Sequence, residues 1–180
     1  AFATHNANTI AAVKAIAGKT PLEFQGLHGM GEAPYDEVAK LGLAMLSKGP
    51  HKIGLRALLD RSGLLNKEID SYQVGFVIAP RINAAGRMST PDIAARLLLA
   101  GDEGMGAEAK ALAEQLNSEN LRRQEEEATI VAQAKKVVET DLDVGSRAVI
   151  VVAGEGWHRG VIGIVASKLV DAFHRPAIVI

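Results

Sequence analysis

Cysteine is absent from this chain of 180 residues, which excludes a disulfide framework and any thiolate-ligated zinc site. Aromatic residues make up only 4% of it, so aliphatic side chains must supply most of the packing within a hydrophobic fraction of 48%. An excess of one charge is lacking too: 20 Lys and Arg against 21 Asp and Glu leave a formal net charge of −1. That excludes a global basic field of the kind that attracts nucleic acid, so any phosphate-binding surface must be a local cluster. No apolar run approaches the roughly 20 residues of a membrane span, and the N-terminus lacks a basic region followed by an apolar one. A soluble cytoplasmic protein is the expectation, built as one ordinary domain or as two small pieces joined by a connector. Both ends read as cut. The chain starts on Ala1, and it stops on Pro176-Ala177-Ile178-Val179-Ile180, a run that reads as a strand entering a sheet. An unprotected apolar strand is a poor natural terminus because its edge invites pairing. A fragment is therefore expected.

What is present is mostly helical patterning. Thr9 to Ala17 reads as a short helix, and Gly18 to Pro21 and Gly26 to Pro34 read as loops. Tyr35 to Ser47 places Val38, Leu41, Ala44 and Met45 at helical spacing and is stopped by Gly49-Pro50. Ile53 to Gly63 repeats the pattern with Leu55, Leu58 and Leu59, Gly63 serving as C-terminal cap. Asn66 is placed to cap a further helix from Lys67 to Val77, with a break at Gly75. Pro80 to Thr90 has no clean period and reads as an ordered loop, before a helix that Thr90 and Pro91 open and that carries Ile93, Ala94, Leu97 and Leu98. Ala107 to Thr140 lacks Gly and Pro, and its length of about 50 Å suits a connector between two lobes. Its partial apolar stripe is Leu112, Leu116, Leu121, Ile130, Val131, Val137 and Val138, and the charge run Arg122 to Glu127 reads as a solvated face. After Gly145, Ala148 to Ala153 is a strand, Val161 to Phe173 a helix and Ala177 to Ile180 a strand, a unit whose two strands are normally parallel neighbours. The fold class is α/β with a heavily helical first part.

Two constellations carry chemistry. In Pro80 to Met88 (PRINAAGRM), Arg81, Asn83 and Arg87 stand among small residues. Arginine's planar fork of donors suits phosphate oxygens, and small neighbours let a strand's backbone approach. The alternative is that the arginines pair with acidic groups and Asn83 satisfies a turn, which composition alone favours. In Gly154 to Gly163 (GEGWHRGVIG), a loop opens a helix, so free N–H groups and the positive end of the dipole face it. Trp157 can stack a base there, with His158 and Arg159 on phosphate. Equally, Trp157 can plug the core while Gly160 and Gly163 allow close packing. The spacing is not GxGxxG, which argues against a dinucleotide site.

PRINAAGRM followed by an aliphatic helix resembles the signature loop of RecJ-type nucleases of the DHH phosphoesterase superfamily. WHRGVIGIVASKL followed by HRPAIVI is similar to the opening of their DHH-associated domain, and the long helix is similar to the connector between the two. The likeness runs from about Leu41 to Ile180. It implies a helical C-terminal part of a DHH-type domain over 1–104, a connector helix over 105–143, and the start of a DHH-associated domain over 144–180. It also implies a parent that is a 5′-to-3′ single-stranded-DNA exonuclease of DNA repair and recombination, using Mn²⁺ or Mg²⁺. Single-stranded DNA would be its partner, with a single-strand-binding protein or a helicase as further partners. Carried over by position, Arg81, Asn83 and Arg87 bind phosphate near the strand's 5′ end, and Trp157, His158, Arg159 and Gly160 form the second wall of a groove.

The family's metal ligands are not in this pattern. There is no Asp-His-His, and His5-Asn6-Ala7-Asn8-Thr9 puts Asn where carboxylates are expected, without the charge a divalent ion needs. His28 and Glu32 lie where a Val-Ala-Asp segment is expected, so His5, His28 and Glu32 are weak candidates and no metal is expected on this chain alone. A fragment or a chain with missing segments is favoured over a degenerate homologue. The alternatives to the exonuclease portion are a catalytically silent single-strand-binding or scaffold relative, and a small-substrate phosphoesterase of the same superfamily.

Overall fold

The computed structural model describes residues 2–3, 24–25, 32–50, 52–101, 103–141 and 147–180. The expected helix from Thr9 to Ala17 and the loop from Gly18 to Pro21 lie outside them. The chain divides into two compact units, Ala1–Gly49 with Asn66–Ile69, and Pro50–Leu65 with Asp70–Ile180.

In the first unit, β1 (Phe2–Ala3) pairs in parallel with β2 (Phe24–Gln25). Helix α1 (Glu32–Ser47) starts earlier than its apolar period, taking in residues expected to end the glycine-rich loop. Pro34 allows this, because a proline in the first turn removes an N–H that has no partner anyway. Leu41 and Met45 share a face as the spacing requires, yet they are 63% and 57% exposed. Periodicity sets which side chains share a face, not whether another element covers it. Ser47 Oγ accepts from the Ile69 N–H at 2.9 Å and holds the return segment to the end of α1.

In the second unit, α2 (Ile53–Arg61) buries Leu58 and Leu59 completely. It closes on Gly63, whose φ of 69° is the left-handed conformation expected of a glycine cap. The next helix does not begin at Asn66. Asp70 is its cap, accepting from Tyr72 and Gln73 N–H groups, while the Gln73 side chain accepts from the Asp70 N–H in return. One helical turn, α3 (Ser71–Gln73), widens into a π-helical stretch at Val74–Ile78 that contains Gly75, and then continues as α4 (Ala79–Met88). The expected loop from Pro80 is therefore a helix. Its period is hidden in the sequence because small residues form its inner face: Ala84 and Ala85 are fully buried, and Pro80 sits in the first turn, where a helix tolerates it. Thr90 Oγ1 accepts from the Asp92 N–H at 3.3 Å, and α5 (Asp92–Leu99) buries Ile93, Ala94 and Leu97.

A 3₁₀ turn (Glu103–Met105) leads into α6 (Gly106–Asp141), 36 residues long and thus about 54 Å. Helices α2, α4 and α5 and the later α7 all pack against it. Strand β3 (Ile150–Val152), α7 (Arg159–Phe173) and β4 (Ala177–Val179) complete the expected unit, with β3 and β4 parallel and Val151 opposite Ile178. Met88, Ile130, Ala134, Val138, Ile150, Val152, Val161, Val165 and Leu169 form its core. The described residues are thus mostly helical with a small parallel sheet, and none of the helices described is long and apolar enough to cross a membrane.

The inner face of α6 differs from the stripe read in sequence. Leu112 and Leu116 are buried as expected, but Leu121 is 50% exposed. Leu116→Ala should cost about 2–5 kcal/mol through the cavity it leaves, whereas Leu121→Ala should stay within about 0.5 kcal/mol. Urea unfolding midpoints of the two variants check this register.

Candidate functional site

Between the apolar ends of α6, its inner face turns polar. Asn117, Asn120 and Glu127 are all buried there. An uncompensated carboxylate would be costly at such a position. Glu127 is bracketed by two cations, Arg123 on its own helix and Lys168 from α7. Arg123 also reaches Asn120 Oδ1 at 3.5 Å, and its Nε is buried without a partner. The charge run is therefore not simply a solvated face: Arg122 is exposed, while Arg123 and Glu127 turn inward. The reason is phase. Continuing the buried period from Leu116 to Ile130 passes through 120, 123 and 127, and the polar identity of those residues masks it.

Arg81 joins the same seam. Its Nε donates to Asn117 Oδ1 at 3.1 Å and its Nη1 to the Val77 carbonyl at 2.7 Å. Burial first, and then the charge of Arg61, hold its guanidinium below the ordinary arginine value. Two of its donors are thus spent on tying α4 to α6 and to the preceding π-helical turn.

Farther along α4, Pro80, Asn83 and Arg87 share one face at helical spacing. With Arg123 from α6 and Ile164 from α7 they line a groove of about 200 Å³. That is smaller than the roughly 300–1,000 Å³ of typical organic-ligand pockets and suits a compact oxyanion. Asn83 and Arg87 are exposed. Arg87 Nη1 donates to the Gly160 carbonyl at 3.0 Å across 73 residues of sequence. Gly160 is required at this contact, since a Cβ there would lie 2.1 Å from the Arg87 carbonyl oxygen. The two sequence constellations therefore meet backbone to backbone.

The remaining expected residues are placed less freely. His158 is the N-cap of α7, its Nδ1 accepting from the Gly160 N–H at 3.1 Å, so the proton of the neutral ring resides on Nε2. Trp157 is half-buried against the sheet core and donates from Nε1 to Gln133 Oε1 at 2.7 Å. Its ring lies over Gly154, where a Cβ would come within 2.1 Å of it. Arg159, the first residue of α7, is exposed. A Cβ on Gly163 would meet nothing within 4 Å, so this glycine plays no part in close packing.

Among the described residues no three His, Asp or Glu side chains come together to hold a metal ion. His5 and His28 lie outside the described residues, as does the side chain of Glu32 at the start of α1. The donor set described here does not fit a divalent cation.

Gly160→Ala should destabilise the fold by about 1–3 kcal/mol, because the added methyl must push α4 and α7 apart. Gly163→Ala, in a helix and facing open space, should be neutral or stabilise by up to about 1 kcal/mol. Denaturant titrations of the pair measure the difference.

Comparison with known proteins finds two families that overlap in the first third of the chain. Residues 1–60 match the family model Proline dehydrogenase, and the bifunctional protein PutA of Rhizobium meliloti is 56% identical over 45 residues, covering 23% of this chain and 4% of PutA. The single-stranded-DNA-specific exonuclease RecJ of Bacillus subtilis is 39% identical over 175 residues, covering 92% of this chain and 21% of that protein. A crystal structure of exonuclease RecJ bound to manganese superposes with a TM-score of 0.68 at 36% identity, over 95% of this chain and 39% of that one. RecJ from Thermus thermophilus in complex with Mg²⁺ gives 0.65 at 36% identity, over 95% and 24%. The chain thus spans about a fifth of the length of the Bacillus relative. Over most of its length the chain is thus similar to a portion of the RecJ family, whose relatives carry the name single-stranded-DNA-specific exonuclease.

Proposed function

We propose that this chain is the strand- and phosphate-binding portion of a 5′-to-3′ single-stranded-DNA exonuclease, with the hydrolytic metals held elsewhere in a complete parent. The observation that carries this reading is the junction of α4 and α7. Arg87 of one motif bonds Gly160 of the other at 3.0 Å, and Asn83 and Arg87 stay exposed beside it. Arginine and asparagine donors around a small groove recognise phosphate oxygens without reading bases, as a processive enzyme requires. Arg87 and Asn83 contact the strand near its 5′ end. Arg81 supports them from the seam, Arg159 adds a cation at the positive end of α7, and Trp157, His158 and Gly160 shape the second wall. Residues 1–104 then act as the partial DHH-type lobe, 105–143 as connector and 144–180 as the start of the associated domain.

Solved RecJ structures contain Mn²⁺ or Mg²⁺, and either ion would serve the parent, with ligands from outside the described residues. The parent would act in DNA repair and recombination in the cytoplasm, alongside a single-strand-binding protein or a helicase. A second reading, a catalytically silent single-strand-binding or scaffold module, is favoured by one observation. The stretch holding His5, His28 and Glu32 matches the Proline dehydrogenase model, so the place expected to supply metal ligands follows another family's pattern.

Fluorescence anisotropy of the chain with a 5′-phosphorylated single-stranded oligonucleotide, with and without Mn²⁺, tests the reading. Binding without cleavage is expected, falling steeply as salt rises because phosphate contacts release counterions. Arg87→Ala should weaken binding by about 1–3 kcal/mol with an unchanged melting temperature. Arg81→Ala should lower affinity and melting temperature together. Salt-independent binding, or none, sinks the reading.

A further inference from the structure

The charge run in the middle of α6 contains a second arginine beside the groove, Arg123. Arg123 has only 14% of its side chain exposed, and from α6 it lines the same groove as Asn83 and Arg87 of α4. Its Nη1 is engaged by Glu127 and its Nη2 lies 3.5 Å from Asn120 Oδ1, leaving Nε without a partner. Glu127 would neutralise Arg123 if they formed an isolated pair. Lys168, however, binds the other carboxylate oxygen. Two cations on one carboxylate leave a surplus positive charge, held at low exposure next to the groove, where attraction to an anion is stronger than at a solvated surface.

We propose that Arg123 is a further phosphate-binding residue, facing Arg87 across the groove so that the two guanidinium groups hold one phosphodiester of a single strand between α4 and α6. Glu127 and Lys168 are positioning residues: the carboxylate fixes the guanidinium in one orientation, and the lysine keeps that carboxylate from cancelling its charge. This inference rests on the strand-binding reading and names a second wall for the same groove on the connector helix. A strand bound there would bridge the connector helix and α4.

The test compares Arg123→Gln with Arg122→Gln, its exposed neighbour, which pairs loosely with Glu119 at 3.7 Å and does not line the groove. Both changes remove one positive charge from the same helix turn. With a 5′-phosphorylated oligothymidylate, Arg123→Gln should weaken binding about ten- to a hundredfold and reduce the slope of log affinity against log salt by about one. Arg122→Gln should change the affinity less than about twofold. Arg123→Lys keeps the cation and loses the fork, so it should fall between wild type and Arg123→Gln. It also covers the case in which Arg123→Gln does not fold. Equal effects of the two glutamine variants, or an unchanged salt slope in Arg123→Gln, overturn the proposal while leaving the strand-binding reading intact. Failure of the wild-type chain to bind removes that reading and this inference with it.

Discussion

The buried carboxylate of Glu127 is the constraint around which the second unit is arranged. A charge at that position is tolerable only with partners, and the partners come from two helices: Arg123 one turn earlier on α6 and Lys168 on α7. This fixes the rotational phase of α6 where its apolar contacts are interrupted. It also links α6 to the helix of the strand–helix–strand unit. On one side of the polar seam Leu112, Ala113 and Leu116 are buried, and on the other Ile130, Ala134 and Val138. The groove opens at the seam because polar side chains there pair with one another instead of filling space.

A second constraint is steric. The Arg87 carbonyl and the Gly160 backbone approach so closely that no side chain fits between them, and the Arg87 guanidinium returns to the Gly160 carbonyl. His158 turns its ring nitrogen onto the Gly160 N–H and so starts α7 at this contact. The His-Arg-Gly sequence is thereby explained largely by local architecture: a cap, an exposed cation and a residue without a side chain. Trp157 follows the same logic, its indole pinned by Gln133 and seated over Gly154, which limits its freedom to act as a stacking platform.

The N-terminal stretch follows a different pattern. Residues 1–60 match the Proline dehydrogenase model, while the similarity to the Bacillus RecJ covers 92% of the chain and so overlaps part of it. The Asn residues near His5 and the His28 to Pro34 segment fit the metal-ligand motifs of the DHH superfamily poorly, as expected if that stretch reflects the other family. The described remainder supplies the groove between α4, α6 and α7 on which the proposed strand binding rests.

The sequence by itself determined the likeness to RecJ, the long helix α6, the parallel strand–helix–strand unit and the glycine cap at Gly63, because these depend on local spacing, propensity and motif. It also singled out Asn83 and Arg87 by residue type, and both line the groove. It could not show that Pro80 to Met88 is helical, since the buried face there is made of Ala84 and Ala85, which carry little hydrophobic contrast, with Met88 only at its end. Nor could it show that Arg123 faces inward while Arg122 faces solvent. Those outcomes depend on which face of α6 the neighbouring helices cover. Only the tertiary structure, through the burial of Glu127 and the contact of Arg87 with Gly160, decided that two motifs 73 residues apart in sequence meet beside one groove.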